Sequence, residues 1–181
     1  MEIWETIGYG ESFDLKIFTA KWVVRRNPKS GKKSNFIILD SPNWVNIIPV
    51  TKNNEVVLVR QYRHGINEIT LEIPGGLIDK DETPIEAAKR ECKEETGFWS
   101  NDEPILLGKV RPNPAFQTNT CYTYLWTNVE KRFEPYLDTN EVIEVVLTSA
   151  EDLEKLIRTG KIDHSIVLNA LLFYFLHSKQ T

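Results

Sequence analysis

The chain of 181 residues is poor in the side chains that most often build disulfides and metal sites. Its two cysteines, Cys92 and Cys121, lack the spacing of a zinc site, and we expect free thiols in a reducing cytoplasm. The three histidines show no spacing typical of a catalytic group, and we interpret each as an ordinary surface or core residue: His64, His164 and His177.

The sequence also lacks an excess of positive charge. It has 22 basic and 26 acidic residues, which gives a formal net charge of −4. A protein with this balance has no electrostatic reason to bind DNA or RNA as a polymer. We therefore expect no nucleic acid partner.

A long hydrophobic run is absent as well. The longest apolar stretch, residues 166–176, is interrupted by Asn169 and is shorter than the roughly 20 apolar residues that span a bilayer. Residues 1–3 begin without a basic region and a hydrophobic core, so no signal peptide is predicted. We expect no membrane partner, a cytoplasmic location and a chain long enough to bury a core.

The sequence does contain one dense pattern of glycines and charged residues at 76–98. Its spacing is G-x5-E-x7-R-E-U-x-E-E-x-G-U, where U is an apolar residue. Cys92 takes the first U position, because a buried free thiol behaves as a small hydrophobe. The seven specified positions are all filled: Gly76, Glu82, Arg90, Glu91, Glu94, Glu95 and Gly97. So many specified positions in one span make chance a poor explanation.

The second half of this pattern has the signals of a short helix. Thr83, Pro84 and Glu86 have the form of a capping box with proline at the first helical position. Gly97 suits a left-handed C-terminal stop, so the signals predict a helix over residues 84–96. At about 100° per residue, an apolar stripe lies beside an acidic arc. The stripe contains Ile85, Ala88 and Cys92, and the arc contains Glu91, Glu94 and Glu95.

Three carboxylates crowded on one helical face repel each other. A divalent cation removes that cost, and hard oxygen ligands of this kind suit Mg²⁺ or Mn²⁺. The alternative is a solvated acidic face, but the adjacent apolar stripe and the short capped helix favour a metal site. We expect Arg90 to pair with Glu82 or Glu86 across the junction between loop and helix.

The pattern resembles the signature of the Nudix superfamily, whose enzymes hydrolyse a nucleoside diphosphate linked to another group X. The resemblance extends over roughly residues 42–175. It implies an α/β fold, namely an α/β/α sandwich with a mixed sheet, and two or three bound Mg²⁺ ions, with Mn²⁺ as a substitute. It also implies that the Gly75 carbonyl joins Glu91, Glu94 and Glu95 as metal ligands, and it makes Glu94 and Arg90 candidate catalytic residues.

A downstream proline narrows the implied substrate. Pro114 stands sixteen residues after Phe98, and a proline at that distance marks the ADP-ribose pyrophosphatase group of the family. Segment 111–116 departs from the usual proline-glycine-phenylalanine form, so the wider class of nucleoside diphosphate sugars stays open. Phe116 is a candidate substrate contact. The alternatives are a hydrolase of dinucleoside polyphosphates or nucleoside triphosphates, a purely structural proline, and a non-catalytic nucleotide-sensing module.

Segment 59–63 resembles the Nudix strand that ends in an arginine facing the substrate. Strand alternation places Gln61 and Arg63 on one face and Arg60 on the other. Arg63 is the favoured substrate contact, because a planar guanidinium suits both a phosphate and a base. Arg60 is a second candidate or a solvated charge. Glu72 occupies the position of a family glutamate near the site or is an ordinary strand residue.

Hydrolysis needs a base for the attacking water, and a glutamate from a distant loop commonly serves in this subfamily. Segment 138–145 is the matching acidic loop that runs into a strand. Glu141, at the end of the loop, is favoured because loops supply the mobility that a base requires. Glu144 in the strand and a glutamate of the box remain alternatives.

The chain is predicted to comprise an N-terminal antiparallel β-sheet region at 1–41 and a Nudix hydrolase domain at 42–181. Residues 13–24 and 35–39 are predicted to pair around the polar turn 27–31. Because a two-stranded sheet is marginal in water and the family pairs this region across a two-fold axis, we predict a homodimer. Further strands are predicted at 44–50, 56–61, 68–73, 105–110, 120–127 and 142–147, and further helices at 150–159 and 165–177.

Overall fold

The computed structural model describes residues 1–137, 139 and 141–179. Along the chain the elements are β1 (Glu5–Asp14), β2 (Thr19–Arg26), β3 (Lys33–Asp40), β4 (Trp44–Thr51), β5 (Glu55–Arg63), β6 (Glu68–Glu72), β7 (Gly75–Leu77), α1 (Pro84–Thr96), β8 (Phe98–Trp99), β9 (Ile105–Val110), β10 (Cys121–Lys131), β11 (Ile143–Ser149), α2 (Ala150–Arg158) and α3 (Ser165–Ser178). They form two compact units: the first contains Met1–Asn43 and Arg111–Thr120, and the second contains Trp44–Val110 and Cys121–Thr181. The functional division at residue 41 stays a prediction.

The first unit contains a three-stranded antiparallel sheet in the order β1-β2-β3. The predicted pair of strands was wrong in number, because residues 13–24 include the end of β1, a turn and most of β2. The turn forms at Lys16, whose φ is 69° and whose N–H donates to Asp14 Oδ1 at 2.9 Å. The missed strand β1 has mostly exposed positions and two glycines, so it lacks the alternation that predicts a half-buried strand.

Segment Arg111–Thr120 packs with this sheet rather than with its neighbours in sequence. The Leu39 N–H donates to the Phe116 carbonyl at 2.7 Å, and the Thr118 hydroxyl donates to Asp40 Oδ1 at 2.7 Å. Phe116, a predicted substrate contact, therefore belongs to the first unit.

The second unit contains a mixed sheet with the central order β11-β5-β4-β10-β8, to which β6, β7 and β9 attach. Strands β4 and β10 are parallel, and the other pairs are antiparallel. The six strands predicted after residue 42 are all present, and β10 runs four residues further than predicted. The short strands β7 and β8 were not predicted.

Two hydrophobic clusters cover opposite faces of this mixed sheet. Helices α2 and α3 pack on one face through Leu153, Ala170 and neighbouring residues. Helix α1 packs on the other face through Ala88 and Cys92. Residues 56–59 of β5 are buried on both faces of the sheet, in agreement with the continuous apolar run there. The predicted α/β/α sandwich is confirmed.

Helix α3 was predicted to be apolar enough to lie against the core, and this is confirmed. Its Val167, Ala170 and Leu171 are buried in the cluster shared with α2. Within the described residues, no helix combines the length and the apolar character needed to cross a membrane.

Candidate active site

Helix α1 begins and ends at the residues that the sequence predicts. The Thr83 hydroxyl accepts from the Glu86 N–H, and the Glu86 carboxylate accepts from the Thr83 N–H at 2.9 Å. Gly97 ends the helix with φ 72°, a conformation that favours glycine. A Cβ at Gly97 would also lie 2.0 Å from the Phe133 carbonyl oxygen. The capping box and the glycine stop are therefore confirmed.

Two of the three box glutamates are buried. Glu95 is 5% exposed, and the Glu91 side chain is 15% exposed. The Gly75 N–H donates to Glu95 Oε2 at 3.1 Å. Gly76 lies so close to Glu91 that a Cβ there would stand 2.3 Å from Glu91 Oε1. Glu91 and Glu95 therefore do not form a solvated acidic face, and a side chain at 76 would displace the Glu91 carboxylate.

Burial gives these two carboxyl groups unusual acidities. It raises the pKa of Glu91 to about 7, and it outweighs the favourable charge and hydrogen bond of Arg90. Burial also raises the pKa of Glu95 well above its ordinary value, and the charges of Glu91 and Glu141 add to the rise. The site is short of positive charge, so either a proton or a cation stabilises it.

Arg90 connects the box helix to the preceding loop. It donates from Nε and Nη2 to the two carboxylate oxygens of Glu82, both at 2.9 Å. Its Nη1 donates to Glu91 at 2.8 Å and to Glu94 at 3.1 Å, and Nη2 also donates to the Leu77 carbonyl at 3.0 Å. The predicted pairing with Glu82 is confirmed, whereas Glu86 bonds Thr83 instead.

A cleft of about 350 Å³ opens beside these groups. It is lined by Gln61, Arg63, Gly75, Gly76, Leu77, Asp79, Arg90, Glu91, Glu94, Glu95, Tyr136 and Glu141. The cleft thus combines the box carboxylates, the arginine at the end of β5 and the predicted loop glutamate. Asp138 and Asn140, from the same predicted loop, lie outside the described residues.

The model of the NUDIX domain family matches residues 42–170. The chain belongs to the Nudix hydrolase family. Among the relatives of this Nudix hydrolase is the ADP-ribose pyrophosphatase of Bacillus subtilis strain 168, which is 30% identical over 137 residues, or 74% of this chain and 72% of the relative. The methanol dehydrogenase activator of Bacillus methanolicus is 27% identical over 145 residues, or 80% and 78% of the two chains.

A solved structure gives the same answer for the fold. The crystal structure of an ADP compounds hydrolase superposes with a TM-score of 0.88, over 99% of this chain and 96% of that chain. The two sequences are 22% identical. At this identity, the likeness shows the fold alone.

The cleft offers the oxygen donors that a divalent ion of this family requires. Among the residues that the structure describes, no three His, Cys, Asp or Glu side chains converge on one ion position. Glu91 and Glu94 are directed to Arg90, and Glu95 to the Gly75 N–H. The donor set is nevertheless carboxylate and carbonyl oxygen, and two of its members carry raised pKa values. These residues fit Mg²⁺ or Mn²⁺.

Two predicted site residues lie elsewhere in the second unit. Arg60 and Glu144 form an exposed ion pair at 3.2 Å, and Arg60 points to the face of β5 opposite Arg63, as alternation predicts. Neither side chain lines the cleft. Phe116 lies in the first unit, and its contact with substrate stays a prediction.

Glu72 is not a cleft-lining residue but lies behind Arg63. It is 2% exposed and accepts from Arg63 Nε at 2.8 Å and from Arg63 Nη2 at 2.7 Å. His164 Nδ1 lies 2.8 Å from Glu72 Oε2, the oxygen that also accepts from Arg63 Nη2. His164 was interpreted as an ordinary surface or core histidine, and no spacing could reveal its contact with Glu72, since 92 residues separate the two.

Tyr136 lines the cleft but was not predicted from the sequence. Its side chain is 79% exposed at the mouth of the cleft, and its N–H donates to the Glu94 carbonyl at 2.8 Å. The backbone of this loop is thus tied to the C-terminal turn of α1, although no local sequence signal indicates it.

Proposed function

We propose that this Nudix hydrolase cleaves the pyrophosphate bond of ADP-ribose or a related nucleoside diphosphate sugar, giving a nucleoside monophosphate and a sugar phosphate. The observation that carries the proposal is the composition of the cleft. Anionic ligands for a metal (Glu91, Glu94, Glu95) and a cationic group (Arg63) line the same cavity as a loop glutamate, Glu141. A pyrophosphate requires both kinds of group.

The substrate class is supported by the relatives and by the position of Pro114. Proteins named ADP-ribose pyrophosphatase, ADP compounds hydrolase and ADP-sugar pyrophosphatase are among the similar sequences. A purely sensing module is disfavoured, because all seven specified positions of the box are filled.

The reaction we infer is a direct displacement by water. Glu141 accepts the proton of the water whose oxygen attacks one phosphorus atom. The bond from that phosphorus to the bridging oxygen breaks, and the bridging oxygen leaves with the second phosphate. Arg63 donates to phosphate oxygens and offsets their charge. Arg90 keeps Glu91 and Glu94 in place through its bonds to Glu82 and to both glutamates.

Two or three Mg²⁺ ions, held by Glu91, Glu94, Glu95 and the Gly75 carbonyl, would supply charge neutralisation and a more acidic water when bound. The identity of the ion can be tested by adding Mg²⁺ or Mn²⁺ to protein treated with a chelator. Activity that is unchanged by the chelator would contradict the metal assignment.

Product analysis tests the proposed reaction. The protein would be incubated in Mg²⁺ with ADP-ribose, other nucleotide sugars, dinucleoside polyphosphates and nucleoside triphosphates. We expect ADP-ribose or another nucleotide sugar to be cleaved fastest, to a monophosphate and a sugar phosphate. If nucleoside triphosphates are cleaved fastest, with release of pyrophosphate, the proposed substrate class is wrong, but the protein is still a Nudix hydrolase.

We further propose a cytoplasmic homodimer whose first 41 residues contribute to the interface. The three-stranded sheet exposes several large side chains, among them Tyr9 at 72%, Phe13 at 48% and Trp22 at 40%. Exposed aromatic groups in this number favour a protein interface. Light scattering tests the proposal, because a monomer of about 21 kDa at micromolar concentration would contradict it.

A further inference from the structure

The carboxylate of Glu72 is held by three side chains from three elements. Arg63 at the end of β5 contacts both oxygens, at 2.8 and 2.7 Å. Thr70 in β6 donates to Oε1 at 2.6 Å, and His164 before α3 contacts Oε2 at 2.8 Å. An ionised carboxylate has about four acceptor positions. Each of the two oxygens therefore has two partners, and Glu72 is fully satisfied.

These contacts determine which nitrogen of His164 carries a proton. Burial alone would raise the pKa of Glu72, but hydrogen bonds from Arg63, His164 and Thr70 together hold it well below the ordinary value. The carboxylate is therefore ionised at neutral pH and can only accept. His164 must donate from Nδ1–H to Glu72.

The backbone position of His164 points to the same contact. His164 is the N-cap of α3, where Ser, Thr, Asp and Asn are the usual residues because their side chains accept from the first turn. The His164 side chain makes no such capping bond. The one polar contact described for this side chain is with Glu72. His164 therefore binds the carboxylate and does not cap the helix.

Arg63 connects the buried Glu72 to the cleft. Its side chain is 41% exposed and lines the cleft, while Glu72 behind it is buried. Glu72 engages Nε and Nη2 side-on, which uses two of the five guanidinium N–H groups. Glu72 does not use the remaining three N–H groups, two of which are on Nη1.

We propose that His164 is a positioning residue for the diphosphate of the substrate, because its Nδ1–H fixes Glu72 and thereby the orientation in which Arg63 meets a phosphate. The inference rests on the proposed function and deepens it. Three glutamates of the box, Glu91, Glu94 and Glu95, also line the cleft, so a guanidinium released from Glu72 has competing carboxylates to pair with. The loss of His164 should therefore weaken diphosphate binding more than it slows the chemical step.

Substitutions at His164 separate a donor at Nδ1 from the mere presence of a side chain. In His164→Asn the amide nitrogen can occupy the place of Nδ1, whereas His164→Ala removes the donor and His164→Gln carries its amide to the place of Nε2. We expect His164→Ala and His164→Gln to raise the Kd for ADP about tenfold. We expect His164→Asn to keep this Kd within about threefold of the wild-type value. The matched control is His177→Ala in the same helix, which should bind like the wild type.

A double-mutant cycle with Arg63→Ala distinguishes positioning from a general structural role. If His164 acts through Arg63, His164→Ala has no further effect on ADP affinity once Arg63 is alanine. The kcat for ADP-ribose should change less than about twofold in His164→Ala, while KM rises in line with the ADP dissociation constant. The NMR signal of Arg63 Nε–H should be lost in His164→Ala and kept in His164→Asn.

Three outcomes would overturn the proposal: unchanged ADP affinity in both His164→Ala and His164→Gln, additive losses in the cycle, or no ADP binding by the wild type. Because ADP is a binding probe, the test does not depend on which nucleotide sugar is hydrolysed. A wild-type protein that binds ADP but leaves nucleotide sugars intact would overturn the proposed function only.

Discussion

Glu72 and Glu95 are buried almost equally, at 2% and 5% exposure, yet their acidities change in opposite directions. The pKa of Glu72 lies well below the ordinary value despite burial, because three side chains donate to it. Burial raises the pKa of Glu95, which accepts from the Gly75 N–H and lies near the charges of Glu91 and Glu141. The number of hydrogen-bond donors, and not the degree of burial, explains why the pKa values of Glu72 and Glu95 change in opposite directions.

This difference assigns the two ends of the cleft different tasks. At the arginine end, the negative charge of Glu72 is already matched by protein donors, so it serves to hold Arg63. At the box end, the carboxylates of Glu91 and Glu95 have fewer donors than their charge requires, so a proton or a cation is needed to stabilise them. The same residue type thus orients a side chain at one end and is suited to bind a metal at the other.

The largest effect is expected from Glu95→Gln. One anionic oxygen is lost while the shape is kept, so hydrolysis should fall by orders of magnitude in saturating Mg²⁺. In metal-free buffer the melting temperature should hold or rise, because a group with a raised pKa costs stability at neutral pH. Steady-state kinetics and thermal unfolding check both statements, with the exposed Glu151→Gln as control. Wild-type activity would remove Glu95 from the site.

Next in size is Glu141→Gln. If Glu141 is the base, turnover should fall about 10²- to 10⁴-fold, with little change in substrate or metal affinity, since the interaction is needed mainly in the transition state. Glu144→Gln is the matched comparison, because Glu144 pairs with Arg60 away from the cleft. A strong loss in Glu144→Gln with normal activity in Glu141→Gln would transfer the role to the strand.

Glu72→Gln should affect stability in the sense opposite to Glu95→Gln. We expect the free energy of unfolding to fall by roughly 1–3 kcal/mol at pH 7, toward the lower end because Arg63 is partly exposed. A depressed pKa stabilises the fold above the ordinary value of 4.5, and that stability is lost as pH falls below it. The difference between variant and wild type, measured by urea unfolding, should therefore shrink below about pH 4.5. A difference that grows in acid would contradict the assignment.

The smallest effect is expected from Arg60→Ala. Arg60 forms an exposed pair with Glu144 on the face of β5 opposite Arg63, and such pairs contribute little, about 0–1 kcal/mol. We expect KM for the nucleotide substrate to stay within about twofold of wild type, whereas Arg63→Ala should raise it clearly. An equal rise of KM in both variants would indicate that Arg60 contacts the substrate.

Sequence reasoning succeeded where short-range rules apply. The bounds of α1 follow from Thr83, Pro84, Glu86 and Gly97, which act within a few residues of each other. The alternation along β5 also placed Arg63 and Arg60 on opposite faces. The sequence did not predict β1, whose exposed positions carry no hydrophobic pattern, or β7 and β8, which are only three and two residues long.

The sequence by itself determined the bounds of the box helix and the six longer strands after residue 42, because caps, periodicity and spacing are properties of neighbouring residues. The tertiary structure alone decided which carboxylates lack donors and which are satisfied. The contact of His164 with Glu72 spans 92 residues, and the burial of Glu95 against Gly75 depends on how β7 packs beside α1. Burial and hydrogen bonding between distant segments set the acidity of each group, and no local pattern encodes them.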